Sequence, residues 1–434
     1  MRFRRRHGMA WRRAARAPQA RLDTSRQLAF SRAGRATDGG STMNTHESRP
    51  TAAPADGGQL PEVTVAFARE LGIGTLDPGE SPVGVVPRAG LRLTDLRRPE
   101  AAEVADPAKQ ARIRTIARRY DRPVELRNDI LHAGPGLDLF RGQVWSGAQV
   151  VEGTFHKKLR PGADELERLD RLRRRNRAQR FSGVNAYFQK PGTQNYFHWM
   201  IECLPRLEVL GPLVREGRVD GLILNFGRLP DFVRDSLAHF YPDLVDRAQL
   251  LAGPLATPDE LAFFVSGGPA AGQTSETRMS TATRRFIEAL PRRDAPGDEV
   301  ILVSRADMEN RRLLNEDEVF AYLGARFPVR RIVGARLSIA EQQVVFGRAR
   351  AIIGVHGAGL SNLIFAPRGC RLIEFTTVQY INRTASFHDS CLLAGGEPHL
   401  VLAEEVGGRT EVVNNLGNDL FLPAEGFARL AELV

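Results

Sequence analysis

The chain has 434 residues, 42% of them apolar and 26% charged. That is room for two domains of ordinary size with some residues left over. No run of 18 apolar residues occurs, so no segment reads as a transmembrane helix. The net charge of +10 resembles a nucleic-acid signature until it is located: residues 1–42 hold eleven arginines and two aspartates, which leaves the rest close to neutral. A near-neutral body argues against a nucleic-acid-binding fold. Cys203, Cys370 and Cys391 are far apart and form no CxxC. This excludes a disulfide framework and a structural zinc site, and points to a reducing compartment.

Residues 1–60 are expected to form a disordered tail, basic over 1–42 and rich in Pro, Gly and Ala beyond. The basic part has three readings: an arm for nucleic acid or anionic membrane, an organelle presequence, or a stretch that is not translated. The third is favoured. Four lysines against 57 arginines suggest a GC-rich genome, where chance stop codons are few, and Met43 offers an alternative start. From residue 61 the pattern is mixed. A helix is predicted over 107–119, then strands over 124–131, 137–141 and 143–151, and a basic helix over 164–180. An α/β rhythm begins at 183, with a strand over 184–189, a helix over 196–210 ended by Gly211-Pro212, a strand over 221–225 and a helix over 231–239. A Gly/Pro/Ser-rich stretch over 267–275 and a helix over 277–290 lead to Pro291–Gly297, taken as the domain boundary. Strands are then predicted over 299–304, 329–333, 351–355, 370–375 and 399–403. Helices come between them over 316–326, 339–348, from 358 and over 385–393, with a last one over 425–433. Short all-apolar strands between helices imply a parallel sheet covered on both faces. The expectation is a looser N-terminal domain over 61–295 and a doubly wound, Rossmann-like domain over 296–434.

Three segments carry chemistry. In AIIGVHGAGLSNLIFAPRG (351–369), a buried strand ends at Val355, and Gly357, Ala358 and Gly359 let the backbone turn tightly into a helix. Free N–H groups then face the carboxyl edge of the sheet, where anions and nucleotides bind, and His356 and Asn362 reach the same place. Such a loop can equally serve tight packing alone. HGAG also resembles the oxyanion loop of esterases, but the required Gly-x-Ser-x-Gly is missing. In NYFHWMIECLPRL (195–207), His198, Glu202 and Arg206 fall on one helical stripe. An imidazole and a carboxylate one turn apart suit a general base and its orienting partner, and a solvated ion-pair stripe is the competing reading. The aromatic residues Tyr196, Phe197 and Trp199 favour a pocket wall. In ILVSRADMENRR (301–312), Arg305 follows a strand's carboxyl end, where a guanidinium can grip a diphosphate. No Asp-x-Asp, HExxH or paired metal spacing occurs, so no metal site is expected.

In this order and spacing, NYFHWMIECLPRL, ILVSRAD, RRLLNEDEV (311–319), LSIAEQQVVFGRARAIIGVHGAGLSNLIFAPRG (337–369) and LIEF (372–375) resemble glycosyltransferase family 61. The resemblance spans roughly 183–375. It implies a GT-B-like fold with two Rossmann-like domains facing across a cleft, the N-terminal one on the acceptor side. It further implies inverting, metal-independent transfer from a nucleotide sugar, with no other cofactor. Arg305, Arg312, His356, Gly357, Ala358, Gly359, Asn362 and Glu374 would then line the donor side, with Glu374 placed for a ribose hydroxyl. His198 and Glu202 would come from the acceptor side as catalytic residues. The expected setting is a bacterial cytoplasm, at the inner face of the plasma membrane, with a glycan or lipid-linked acceptor in surface polysaccharide synthesis. A non-catalytic nucleotide-sugar-binding protein and an α/β esterase are the alternatives.

Overall fold

In the C-terminal half, short runs of β-branched residues and leucine become strands buried on both faces, because each residue type packs on either side of a pleat. Val300 and Leu302 enter one apolar cluster while Ile301 and Val303 enter another, the period of two expected of a strand. The computed structural model describes residues 63–79, 84–98, 107–155, 160–267, 279–409 and 416–434, with Glu100 and Val412 as isolated positions. The expected tail over 1–60 and most of the Gly/Pro/Ser-rich stretch lie outside the described residues.

The C-terminal sheet has six strands, all parallel, in the order Val329–Ile332, Glu299–Val303, Ala349–Val355, Arg371–Thr376, Glu397–Leu402 and Leu93–Asp95. Helices Glu316–Gly324, Ile339–Phe346 and Ala385–Leu393 supply crossovers. Ser338 and Glu341 close a reciprocal capping box at the start of the second. The chain leaves Glu299–Val303 toward one edge of the sheet and then crosses back to build toward the other. The order therefore reverses between Glu299–Val303 and Ala349–Val355. A crevice opens at the carboxyl ends of strands where such a reversal occurs.

The N-terminal sheet differs from the Rossmann-like expectation. It has ten strands and is mixed. Leu255–Gly267, Gln179–Tyr187, Gly221–Leu224 and Ala248–Leu250 are parallel neighbours. Beside them, Asn128–Pro135, Asp138–Phe140, Gln143–Ser146 and Gln149–Val151 add antiparallel pairings. The cause is local: Gly142 and Gly147 take φ of +83° and +57°, giving turns too short for crossover helices.

Several boundaries also move. The basic helix is Ala163–Arg174, because Asn176 takes φ +48° and ends it, and the strand starts early at Gln179. The 196–210 helix does not stop at Gly211-Pro212. It is a π-helix over His198–Cys203, a 3-10 turn over Leu204–Arg206, then an α-helix over Leu207–Arg215 with Pro212 inside. The helix expected over 277–290 is Thr281–Ala289, capped by Ser280. Leu255–Gly267, with Pro258 and Asp259 interrupting its apolar pattern, is a 13-residue strand with no counterpart in the sequence reading. The division at residue 296 is not a division between sheets, since Leu93–Asp95 closes the C-terminal one. Nearby, Arg88 forks onto Asp389 with two bonds of 2.8 Å, both side chains almost fully buried. Gln59–Val434 forms one compact unit.

Candidate functional site

A cavity of about 470 Å³ occupies the crevice at the order reversal. Val303 and Val355, the last residues of the two inner strands, form its floor. Arg305, Arg311 and the Gly357–Gly359 loop line one side, while Asn195, Tyr196 and Phe232 close it from the N-terminal half. Asp231 and Asp235 contribute carboxylates to the same wall.

The charged side is built from backbone carbonyls. Arg305 donates from Nε to the carbonyl of Arg311 at 3.1 Å and from Nη2 to that of Asn310 at 3.2 Å. Arg311 donates from Nη1 to the carbonyl of His356 at 2.7 Å and lies over the Tyr380 ring, 4.6 Å from its centre. Neither guanidinium pairs with a carboxylate among the described residues. Burial, then the neighbouring Arg311, pushes the Arg305 pKa down to about 10, and burial lowers Arg311 as well. Arg311 also has a left-handed backbone, φ +54°, which costs a non-glycine residue about 1–2 kcal/mol. A buried Arg305 and a half-buried Arg311, the latter in a strained conformation, thus face the cavity with no carboxylate in direct contact, although Asp307 lines the same cavity, and this arrangement suits an anion. Gly357 completes the seat: a Cβ there would lie 2.2 Å from Arg305 Nη1, so only glycine leaves room for the guanidinium. A Cβ at Gly359 would meet Val303 Cγ1 at 3.0 Å.

Opposite the arginines, a directional hydrogen-bond chain joins the two halves. Tyr196 donates its hydroxyl to Asn362 Oδ1 at 2.6 Å. Asn362 Nδ2 donates to Gln342 Oε1 and to the carbonyl of Gly359, and Gln342 Nε2 donates to the carbonyl of Leu337. The Asn362 amide is thereby committed to protein partners rather than left free for a ligand.

Two histidine–carboxylate pairs stand outside the cavity lining. His198 Nδ1 lies 3.0 Å from Glu202 Oε2, with the imidazole about a quarter exposed and the carboxylate buried. The π-turn sets this spacing. His356 Nδ1 lies 2.5 Å from Glu374 Oε1 in a site closed by Tyr380 and Phe387. Burial drives His356 well below its ordinary pKa, helped by Arg311, Arg305 and Arg383, and drives Glu374 well above. Both shifts favour the uncharged form of each partner. Glu374 Oε2 is buried with no partner.

The structure thus brings together Arg305, Gly357, Ala358, Gly359 and Asn362 around one cavity, and pairs His198 with Glu202. Three expected donor-side residues fall elsewhere. Arg312 turns outward to Asp419 at 2.8 Å, because the left-handed Arg311 reverses the chain just before it. Glu374 points into the protein toward His356 instead of toward a ribose, and His356 faces it from behind the loop. The solvated-stripe reading of His198, Glu202 and Arg206 also fails. Arg206 is buried and bonded to Asp129 at 2.9 Å and to the carbonyl of Phe188. Arg311 and Gln342 are cavity residues that sequence reasoning passed over, and Tyr196 lines the cavity as the pocket-wall reading expected. Adjacent arginines give no hint which one turns inward, and Tyr196 was not assigned to the donor side. Among the described residues no group of three or more His, Cys, Asp or Glu side chains could hold a metal, and no helix is long and apolar enough to cross a membrane.

Residues 196–373 match the family described as Glycosyltransferase 61. This stretch runs from Tyr196 to the strand Arg371–Thr376, so it contains both cavity walls. A 66-residue segment is also 38% identical to the EGF domain-specific O-linked N-acetylglucosamine transferase of Drosophila melanogaster. The alignment covers 15% of this chain and 13% of that protein, so most of the relative has no counterpart in the match. The matched stretch holds all of the cavity lining but Asn195.

Proposed function

We propose that the protein is an inverting glycosyltransferase that takes its sugar from a nucleotide-sugar donor held in the Arg305–Arg311 cavity. The observation that carries this reading is the pair of guanidiniums with no carboxylate in direct contact at the order reversal of a parallel sheet, inside the stretch that matches the Glycosyltransferase 61 family. Their two positive charges suit a diphosphate and would neutralise it as it leaves, the task a divalent cation performs in other enzymes. In the proposed step an acceptor hydroxyl oxygen bonds to the anomeric carbon on the face opposite the diphosphate. The carbon–oxygen bond to the diphosphate breaks and the electron pair leaves with it. The acceptor proton passes to His198 Nε2, while Glu202 at Nδ1 fixes the tautomer and stabilises the imidazolium. Glu202 as base, with His198 as its partner, is the reverse assignment.

Transfer to a glycan or lipid-linked acceptor, at the inner face of a bacterial plasma membrane, is the setting we favour. It rests on the low lysine content and on family analogy. A thermal-shift screen of nucleotide sugars with and without EDTA tests the core claim, because a ligand bound only by the folded state raises its melting temperature. Sugar nucleotides bearing N-acetylglucosamine are the first probes, given the relative's printed activity. Stabilisation that survives EDTA supports the proposal, and stabilisation that needs a divalent cation refutes the role given to the arginines. Binding with neither hydrolysis nor transfer would favour the non-catalytic alternative. Cleavage of a p-nitrophenyl ester would revive the esterase.

A further inference from the structure

Tyr196 belongs to both parts of the site. Its ring lines the cavity, it stands edge-on to Phe232 with ring centres 5.5 Å apart, and it is two residues ahead of His198 on the same helical segment. Asn195 ties that segment together, its carbonyl accepting from the amide of Trp199 and its side chain from that of Phe197. Across the cavity the Tyr196 hydroxyl meets Asn362, whose amide holds the carbonyl of Gly359 in the donor loop. One hydrogen bond therefore spans 166 residues of sequence and connects the loop proposed to seat the donor with the segment that carries His198.

We propose that Tyr196 is a positioning residue that registers His198 against the donor, acting through Asn362, so that filling the cavity changes the surroundings of His198. The proposal rests on the donor reading above. A ligand can bias a remote group only through contacts that differ between two arrangements, and Tyr196 provides both the ligand contact and the link. The direction of each bond supports this. Asn362 Nδ2 is spent on Gln342 and Gly359, so its Oδ1 can face nothing but a donor, and Tyr196 is that donor. Loss of the hydroxyl leaves the loop and the helix folded but uncoupled.

The test reads His198 directly by its modification with diethyl pyrocarbonate, quantified by peptide mass spectrometry in the full chain. UDP, GDP and CDP are the probes, each used at a concentration saturating for the protein under study. His198 is outside the cavity lining, and direct cover by the nucleotide would persist in Tyr196→Phe, whereas coupling through the hydroxyl would not. In the wild type, bound nucleotide should change the His198 modification rate by about fivefold, the low end of ordinary site-to-site coupling. In Tyr196→Phe the bound nucleotide should leave the rate unchanged, and Asn362→Ala, which leaves the hydroxyl only its longer 3.4 Å bond to Gln342 Oε1, should weaken the effect. A merely structural role for Tyr196 would lower the melting temperature and leave the nucleotide effect intact, which overturns the proposal. Nucleotide binding with no effect on wild-type His198 overturns it too and spares the donor reading. If none of the three nucleotides binds, the donor reading falls and the proposal falls with it.

Discussion

Gly357→Ala isolates the seat of Arg305 from every other property of the loop. The Gly357 backbone is extended, φ −176°, so alanine adopts it without strain. The whole perturbation is the new methyl group, which would sit 2.2 Å from Arg305 Nη1 and 3.2 Å from Cζ. The guanidinium cannot stay. It must give up its bonds to the carbonyls of Arg311 and Asn310 and swing away from the cavity. A hydrogen bond to a charged group is worth about 1.5–3 kcal/mol, so a diphosphate that loses this partner should bind about 10- to 150-fold more weakly. Folding stability should fall by about 1–2 kcal/mol as two carbonyls lose their donor. Isothermal titration with UDP and GDP, beside urea unfolding, measures both. Arg305→Met is the comparator, since it removes the cation and keeps the glycine. Equal losses in the two variants are expected. Full affinity in Gly357→Ala together with lost affinity in Arg305→Met would show that the guanidinium works from another position, and the steric reasoning would fail.

His198→Ala should lower turnover by roughly 10²–10⁴ while nucleotide affinity persists, as steady-state kinetics and titration would show. Asp129 is a second test, of stability rather than activity. Burial, the largest cause, would raise its pKa, but the Arg206 guanidinium, Lys190 and a hydrogen bond from Ser280 together outweigh it and hold the carboxyl far below the usual range. A depressed carboxylate contributes stability above its unfolded pKa of about 3.9 and loses that contribution as pH falls further. Asp129→Asn should therefore cost about 3–5 kcal/mol in urea unfolding at pH 7, with the gap to wild type narrowing below pH ~4. A gap that widens on acidification would contradict the pairing. The three cysteines are free and buried, with burial pushing Cys203 and Cys370 up to about 12. Ellman's reagent should find no fast-reacting thiol among them in the native protein and three after denaturation.

The inner strands of the C-terminal sheet were legible because Glu299–Val303, Ala349–Val355 and Arg371–Thr376 are almost wholly buried, whereas the short, half-exposed edge strand Leu93–Asp95 was not. EVILV and AIIGV can hardly be anything else between two amphipathic segments. The loop glycines were legible for a related reason, since small residues just past a buried strand signal close backbone approach. Leu255–Gly267 was hidden by Pro258 and Asp259, which break the alternation of a strand whose neighbours were found far away in sequence. The choice between Arg311 and Arg312 was hidden for a different reason. It depends on a single left-handed residue, and no pattern of residue types records that the chain reverses there. Glu374 was misplaced because a strand end looks open in sequence, whereas His356, 18 residues earlier, already occupies its carboxylate.

The edge strand Leu93–Asp95 has a consequence for how the chain is made. Its partner is Glu397–Leu402, and the Arg88–Asp389 fork beside it joins residues 301 positions apart. A ribosome adding about 5–20 residues per second needs about 15–60 s to deliver that partner after Arg88 has emerged. During this interval Leu93–Asp95 lacks its partner strand and Arg88 lacks Asp389. Synthesis therefore passes through a vulnerable stage that dilution from denaturant, with both ends present at once, does not reproduce.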